Sequence, residues 1–455
     1  MKHFTSAASR RQFLRRAAAL TGYGAAAPLA LQLSAIGSAS AETASDYRAL
    51  VCIFLYGGND GHNMVVPFDP GYYDRYATAR PDIAIARSDL QATELIPAAG
   101  WPSGRSFALN PSMSALVPVF NSGKLALGFR VGTLVAPTTR DDFLNNRHLP
   151  KKLFSHNDQF SQWQSMLSEG ASSGWGGRLG DLFAPSNQTA SLLTNITVGT
   201  SAVFSSGVQS FEYALSSSGP VSLAPVAVAA AQDVIRADLT MDRVNLLRRE
   251  VRARYLRTLE ANQLLSTALT SVAPVAMPAS PLGASLGMVA RIIAARQSLG
   301  VKRQIFFVSM GGFDTHSGQL ANQNALLGMV AQSMAAFQTA LDGMGAGDLV
   351  TTFTASDFGR SLTSNGDGTD HGWGSHLLVM GGAVKPQSWF GRLPTLSLGA
   401  SDDVGQGRLL PSVSADQYGA TMAKWMGVPD ATMPTIFSNI GNFDSRDLGF
   451  LNPSA

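Results

Sequence analysis

Five short runs of almost uninterrupted apolar residues limit the fold most strongly: "ALVCIFLY" (49–56), "KLALGFRVG" (124–132), "RQIFFVSM" (303–310), "DLVTTFTA" (348–355) and "HLLVMGGAV" (376–384). A strand with one wet face alternates apolar and polar residues, whereas a run without alternation is expected where helices cover both faces of a parallel sheet. Helical periodicity fills the spaces between the runs. It predicts one or two long helices over 230–269, and further helices over 284–300 and 317–345, each of these two ending at glycine. A short helix is predicted over 414–427 within the tail from Leu410. Strand and helix in alternation imply an α/β fold with a mostly parallel sheet. The stretch 160–232, rich in Ser, Gly and Ala, offers one strand at "LLTNITVG" and is expected to leave the sheet as an insertion or cap.

Composition agrees with a globular chain. Of 455 residues, 45% are hydrophobic and only 14% charged, which excludes a disordered protein. The net charge of +3 misleads. Five basic residues, Lys2, Arg10, Arg11, Arg15 and Arg16, precede the first acid, Glu42. Taking those five from the 34 basic residues leaves 29 against 31 acidic, a net charge of −2. Nucleic-acid binding, which needs a basic surface, therefore gains no support. Residues 1–41 read as a twin-arginine export signal. Arg10 and Arg11 head a mildly apolar stretch broken by Gly22, Gly24 and Pro28, and Ala39-Ser40-Ala41 offers a cleavage site. Residues 42–455 would then form one domain that reaches the periplasm or the medium through the twin-arginine (Tat) machinery. No later run approaches the ~20 apolar residues of a membrane span. The single cysteine, Cys52, sits inside an apolar run and reads as a buried hydrophobe, so no internal disulfide is available.

Polar residues gather where the predicted strands end. Gly57-Gly58-Asn59-Asp60-Gly61-His62 follows the first run, and Gly311-Gly312-Phe313-Asp314-Thr315-His316 follows "IFFVSM". Ser356-Asp357-Phe358-Gly359-Arg360 follows "LVTTFTA", with Asp370, His371 and His376 soon after. Ligands of open α/β sheets bind beyond the carboxyl ends of strands. Aspartate with neutral histidine and no thiolate is a ligand set for zinc, manganese or a similar divalent ion. Each loop also has a plainer reading: Asp60 capping its own turn, Asp314 or Thr315 capping the helix near Gly318, and Asp357 paired locally with Arg360.

"LVCIFLYGGNDGHNMVVP", "FSHNDQFSQW", "MGGFDTHSGQ", "TASDFGR" and "GTDHGWGSH", in this order, resemble the twin-arginine-exported DUF1501 proteins over about 50–450. That family is similar to the alkaline phosphatase and sulfatase superfamily. The resemblance implies a doubly wound α/β sandwich, alkaline phosphatase-like, with one or two divalent ions (Zn, Mn, Mg or Ca) at the strand ends. On that resemblance Asp60 matches the first metal-binding aspartate, and Asp314 and His316 match the middle pair. Asp357 stands where the superfamily usually has Asp-His. Here Phe358 follows, so Asp370-His371 would supply the missing ligand, or His371 or His376 would stand for the final histidine. Ser155 is the candidate nucleophile, His156 a candidate ligand or proton carrier, and Arg360 the candidate holder of an anionic substrate. Nothing resembles the sulfatase signature in which a cysteine is oxidised. The implied activity is metal-dependent hydrolysis of a small or polymeric phosphate or sulfate ester. The alternative is a non-catalytic exported protein of the same fold that serves a partner at the cell surface.

Overall fold

The computed structural model describes residues 46–167, 170–220 and 246–452. The expected export signal at 1–41 and the first part of the helical stretch 230–269 lie outside these residues.

The central element is a nine-stranded sheet. In chain order its strands are β1 (Arg48–Leu55), β2 (Leu125–Gly132), β3 (Asn195–Val198), β4 (Tyr213–Leu215), β5 (Arg303–Met310), β6 (Val350–Ser356), β7 (Ser375–Met380), β8 (Ser388–Gly391) and β9 (Val413–Ser414). Their spatial order is β8-β2-β7-β6-β1-β5-β3-β4, with β9 also paired to β2. All strands run parallel except β7, which lies antiparallel between β2 and β6. The helices that cover the sheet are α1 (His156–Ser165), α2 (Trp175–Phe183), α3 (Leu246–Thr270), α4 (Pro281–Ala294), α5 (Gln319–Gly343) and α6 (Ala415–Trp425).

β1 shows why the apolar runs do not alternate. Ala49, Val51, Ile53 and Leu55 join one core with Leu265 of α3, Leu286 and Val289 of α4 and Leu327 of α5. Leu50, Cys52 and Phe54 join the other, with Trp163 of α1, Leu179 of α2 and Tyr418 of α6. All eight residues of the strand are buried. Each fully buried large aliphatic or Phe side chain stabilises the fold by roughly 1.5–3 kcal/mol. The result is a doubly wound α/β sandwich.

Residues 160–220 correct one expectation. Over their described part they are not a cap, since α2 packs on the sheet while β3 and β4 extend its edge beyond β5. The small residues there serve close packing. A Cβ on Gly177 would lie 2.0 Å from the Ser206 carbonyl oxygen.

Register brings the loops together. Leu55 at the end of β1 pairs with Met310 of β5 on one side and Ser356 of β6 on the other. The chain therefore leaves three adjacent strands at one level, through 56–60, 311–316 and 357–360. β1 exits on Gly57 at φ +115°, where a Cβ would come 2.4 Å from the Asp314 backbone nitrogen. Beyond β6 a hairpin, Arg360–Ser364 against Thr369–His371, pairs Arg360 with His371 and folds the second strand back over the same edge.

Candidate metal centre

Four potential donors meet above the ends of β1, β5 and β6. His156 Nε2 lies 3.4 Å from Asp314 Oδ2. Asp314 Oδ1 lies 3.1 Å from His316 Nε2 and 3.4 Å from His371 Nε2, and the two imidazole nitrogens are 3.0 Å apart. The ligand atoms of His156, Asp314 and His371 all lie within 4.8 Å of one another. Two donors held about 2.0–2.1 Å from an ion at the tetrahedral angle stand about 3.4 Å apart, close to the separations of His156, His316 and His371 from Asp314. His316 touches the group only through Asp314 and His371.

The other ring nitrogens decide where the lone pairs point. His371 Nδ1 lies 2.7 Å from the carbonyl oxygen of Phe154, which can only accept, so Nδ1 carries the proton and the neutral ring turns an unprotonated Nε2 to the cluster. His156 Nδ1 lies 2.7 Å from Asp357 Oδ2 and donates in the same way. A carboxylate or carbonyl behind each ring is the arrangement that orients metal-bound histidines. His156 Nε2 and Asp357 Oδ1 are buried atoms without a hydrogen-bond partner among the described residues. Buried polar atoms are seldom left so. The donor set and these unfilled atoms fit a divalent ion.

Electrostatics distinguish the members. The Asp357 hydrogen bond raises the His156 pKa above the ordinary imidazole value, against the effect of burial. Burial lowers that of His371, opposed by the Phe154 carbonyl and reinforced by His156 and Arg360. At Asp314 burial would raise the pKa, but the bond and charge of Arg360 outweigh it and hold the carboxyl below its usual value. The side chains of Asp314 and His316 are about half exposed, at 46% and 45%, so the centre opens to solvent on one side.

The remaining expected site residues fall elsewhere. Asp60 is not in the cluster. Its side chain is fully buried, Oδ2 accepts from Arg80 and Gln319 at 2.5 Å each, and Oδ1 accepts from the His62 backbone at 2.9 Å. Arg80, Gln319 and the turn occupy both carboxylate oxygens. His376, at the start of β7, is buried against the Phe129 ring, its Nδ1 accepts from the Arg130 backbone N–H at 3.4 Å, and its neighbouring imidazole is that of His62, 5.9 Å between centroids. Asp357 stands behind His156, and Gly57 N–H also donates to it at 3.2 Å. Asp370 Oδ1 lies 3.7 Å from His316 Nδ1, at the rim of the centre.

Arg360 is not available to a substrate. Its side chain is wholly buried, and it donates to Asp314 at 2.7 Å, to the Gly57 carbonyl at 3.3 Å and to both the hydroxyl and carbonyl of Thr369. It positions Asp314. Phe358 fills the place of the absent histidine, with its ring against His156 at 4.8 Å and His371 at 4.6 Å between centroids. Ser155 stands at the N-cap of α1, but its hydroxyl donates to Asp158 Oδ2 at 2.7 Å. Sequence reasoning missed Asp158 and the Phe154 carbonyl. The three-residue spacing of Ser155 and Asp158 at a helix start was the available signal for the first, and a backbone acceptor leaves none.

The family model described as "Protein of unknown function (DUF1501)" matches residues 47–435. The chain belongs to the DUF1501 family. No curated protein matches this DUF1501 chain in sequence. Among solved structures it is similar to the C-terminal periplasmic domain of EcEptC from Escherichia coli, at 10% identity over 90% of this chain and 88% of that one, with a TM-score of 0.35. It is also similar to the lipoteichoic acid synthase LtaP from Listeria monocytogenes, at 8% identity, 81% and 77% coverage and a TM-score of 0.33. A third likeness is to the PsFucS1 sulfatase from Pseudoalteromonas sp., at 10% identity, 89% and 73% coverage and a TM-score of 0.32. Likenesses at this level carry no argument about chemistry. No helix of the described residues is long and apolar enough to cross a membrane.

Proposed function

We propose that this chain is an exported, metal-dependent hydrolase of phosphate or sulfate esters, with one divalent ion held by His156, Asp314, His316 and His371. The observation that carries the reading is the cluster of His156, Asp314 and His371 with His316 beside it, in which two imidazoles are held from behind with Nε2 facing inward. Its place beyond the carboxyl ends of three neighbouring parallel strands, where such folds bind ligands, supports it. The family resemblance supplies the ester class. The twin-arginine leader supports a periplasmic or secreted location.

A bound divalent ion would supply Lewis-acid polarisation of the ester and charge neutralisation. The residues of the chain do the rest. Asp357 and the Phe154 carbonyl each accept from an Nδ1–H, so that the lone pair of the neutral ring lies on the inward Nε2, and Arg360 holds Asp314 ionised. Ser155 Oγ forms the new bond to phosphorus or sulfur while its proton passes to Asp158 Oδ2, 2.7 Å away. The ester oxygen leaves with the bonding pair and recovers that proton, and water then releases the group from Ser155.

One observation favours a non-catalytic exported protein: Arg360, the natural holder of an oxyanion, is buried and already engaged. Elemental analysis and an assay on phosphomonoester, phosphodiester and sulfate ester substrates, with and without Zn²⁺ or Mn²⁺, separate the two readings. Asp314→Ala is expected to abolish both bound metal and hydrolysis. Metal retained at full occupancy would refute the centre, and metal present without turnover of any ester would select the non-catalytic reading.

A further inference from the structure

Beside the centre lies an open cavity of about 640 Å³, lined by Asn146, His148, Leu149, Pro150, Lys151, Lys152 and Asp158. It is continuous with the reacting residues through the chain itself. Phe154 carries the carbonyl that fixes His371, Ser155 donates to Asp158 on the cavity wall, and His156 is a donor of the cluster. A cavity of this size accommodates a group as large as one sugar or phosphosugar unit.

Among the described residues the wall carries Lys151 and Lys152 against Asp158, an excess of one positive charge. Its one carboxylate, Asp158, is already covered, by the Ser155 hydroxyl and by Lys152 Nζ at 3.4 Å. Arg147, next in sequence to the lining residues Asn146 and His148, is engaged with Asp141 and Asp142. Lys151 is exposed and has no carboxylate within ion-pair distance among the described residues. This basic wall belongs to a chain that carries more acid than base once its leader is set aside.

The backbone of the same segment is unusual. Asn146, His148, Lys152 and Phe154 have φ of 53°, 54°, 50° and 70°. Left-handed backbone is disfavoured for residues with side chains and persists where the surroundings hold it, chiefly at functional sites. The segment is held in a shape that a relaxed loop would not choose, with its lysines on the cavity. Arg360, meanwhile, is buried and cannot meet an anion.

We propose that this cavity is a second anion subsite, so that the substrate carries at least one further sulfate or phosphate group beyond the ester at the centre. The substrate class is a multiply sulfated or phosphorylated chain. The inference rests on the hydrolase reading for its meaning, but the subsite can be tested apart from it.

The test measures binding of three fluorescent probes to the metal-loaded mature protein at low and high salt: short-chain polyphosphate, dextran sulfate and neutral dextran. At least one anionic probe is expected to bind and neutral dextran is not, and whichever anion binds more tightly identifies the oxyanion. Lys151→Ala/Lys152→Ala is expected to weaken binding tenfold or more. The distant control Arg75→Ala/Arg87→Ala should change it less than twofold. Unchanged binding by the lysine variant, an equal loss in the distant control, or no binding of either polyanion would overturn the subsite. Lysine-dependent binding by a protein that holds no metal would keep the subsite and remove the hydrolase reading, so the two failures are distinct.

Discussion

Two neighbouring groups of aspartate and histidine beyond the strand ends have the same residue types and opposite chemistry. In the centre, Asp314 lies 3.1–3.4 Å from His156, His316 and His371, His316 lies 3.0 Å from His371, and His156 Nε2 has no hydrogen-bond partner among the described residues. In the knot around Asp60, His62 and His376, the carboxylate is closed by Arg80, Gln319 and its own turn, and the histidines are sealed from water, with both ring nitrogens of His62 left without a hydrogen-bond partner among the described residues. Arg80 also donates to the carbonyls of Ser361 and Leu362, which ties the hairpin that carries His371 to the loop after β1. The contrast teaches that an arginine which reaches a strand-end aspartate deeply closes its carboxylate to other partners. Asp314 has an arginine too, but that contact leaves the carboxylate half exposed, with Oδ2 still directed at His156.

Breaking the closed group should have the largest effect. Arg80→Ala leaves Asp60 charged and unpaired in the interior and is expected to cost about 3–5 kcal/mol, measured by denaturant unfolding. A change below 1 kcal/mol would mean that the knot does not hold the hairpin.

Acid provides the next test. Burial pushes the His376 pKa down to about 3, and burial with the nearby Arg80 charge pushes that of His62 well below its usual value. Both rings are neutral in the folded protein and ordinary imidazoles when unfolded, so the unfolded state binds more protons as pH falls below 6.5. Stability is therefore whole above pH 6.5 and declines from there towards about pH 3. His376 alone is expected to remove about 2 kcal/mol by pH 5. Denaturation at pH 7 and 5 checks this, and His376→Gln should flatten the slope.

In the open group the effects are expected to be smaller and confined to metal. Asp357→Asn removes the charge behind His156 and should weaken metal affinity roughly 10–100-fold, with little change in unfolding. Competition with a chromophoric chelator measures it. Equal affinity would show that Asp357 does not orient the ring.

Much of the fold was legible. The unalternated runs correspond to β1, β2, β5, β6 and β7 because each is buried on both faces. The direction of β7 was not legible, since a strand covered on both sides reads alike either way, and the hairpin that reverses the chain depends on long-range contacts. Asp314, His316 and His371 could be picked out by type and position. The fate of Asp60 could not, because its partners Arg80 and Gln319 lie 20 and 259 residues away in sequence. Arg360 was misread for a similar reason. It was expected to hold an anionic substrate, whereas the folded chain buries it and turns it to Asp314, 46 residues away. The edge strands β3 and β4 were obscured by a Ser- and Gly-rich composition that serves close packing of α2.

X-ray absorption at the edge of the bound metal tests the central claim most directly. Three imidazole nitrogens and one carboxylate oxygen at about 2.0–2.1 Å are expected, with that pattern lost in Asp314→Ala. A shell of oxygen atoms with fewer than two imidazoles, unchanged in that variant, would contradict it.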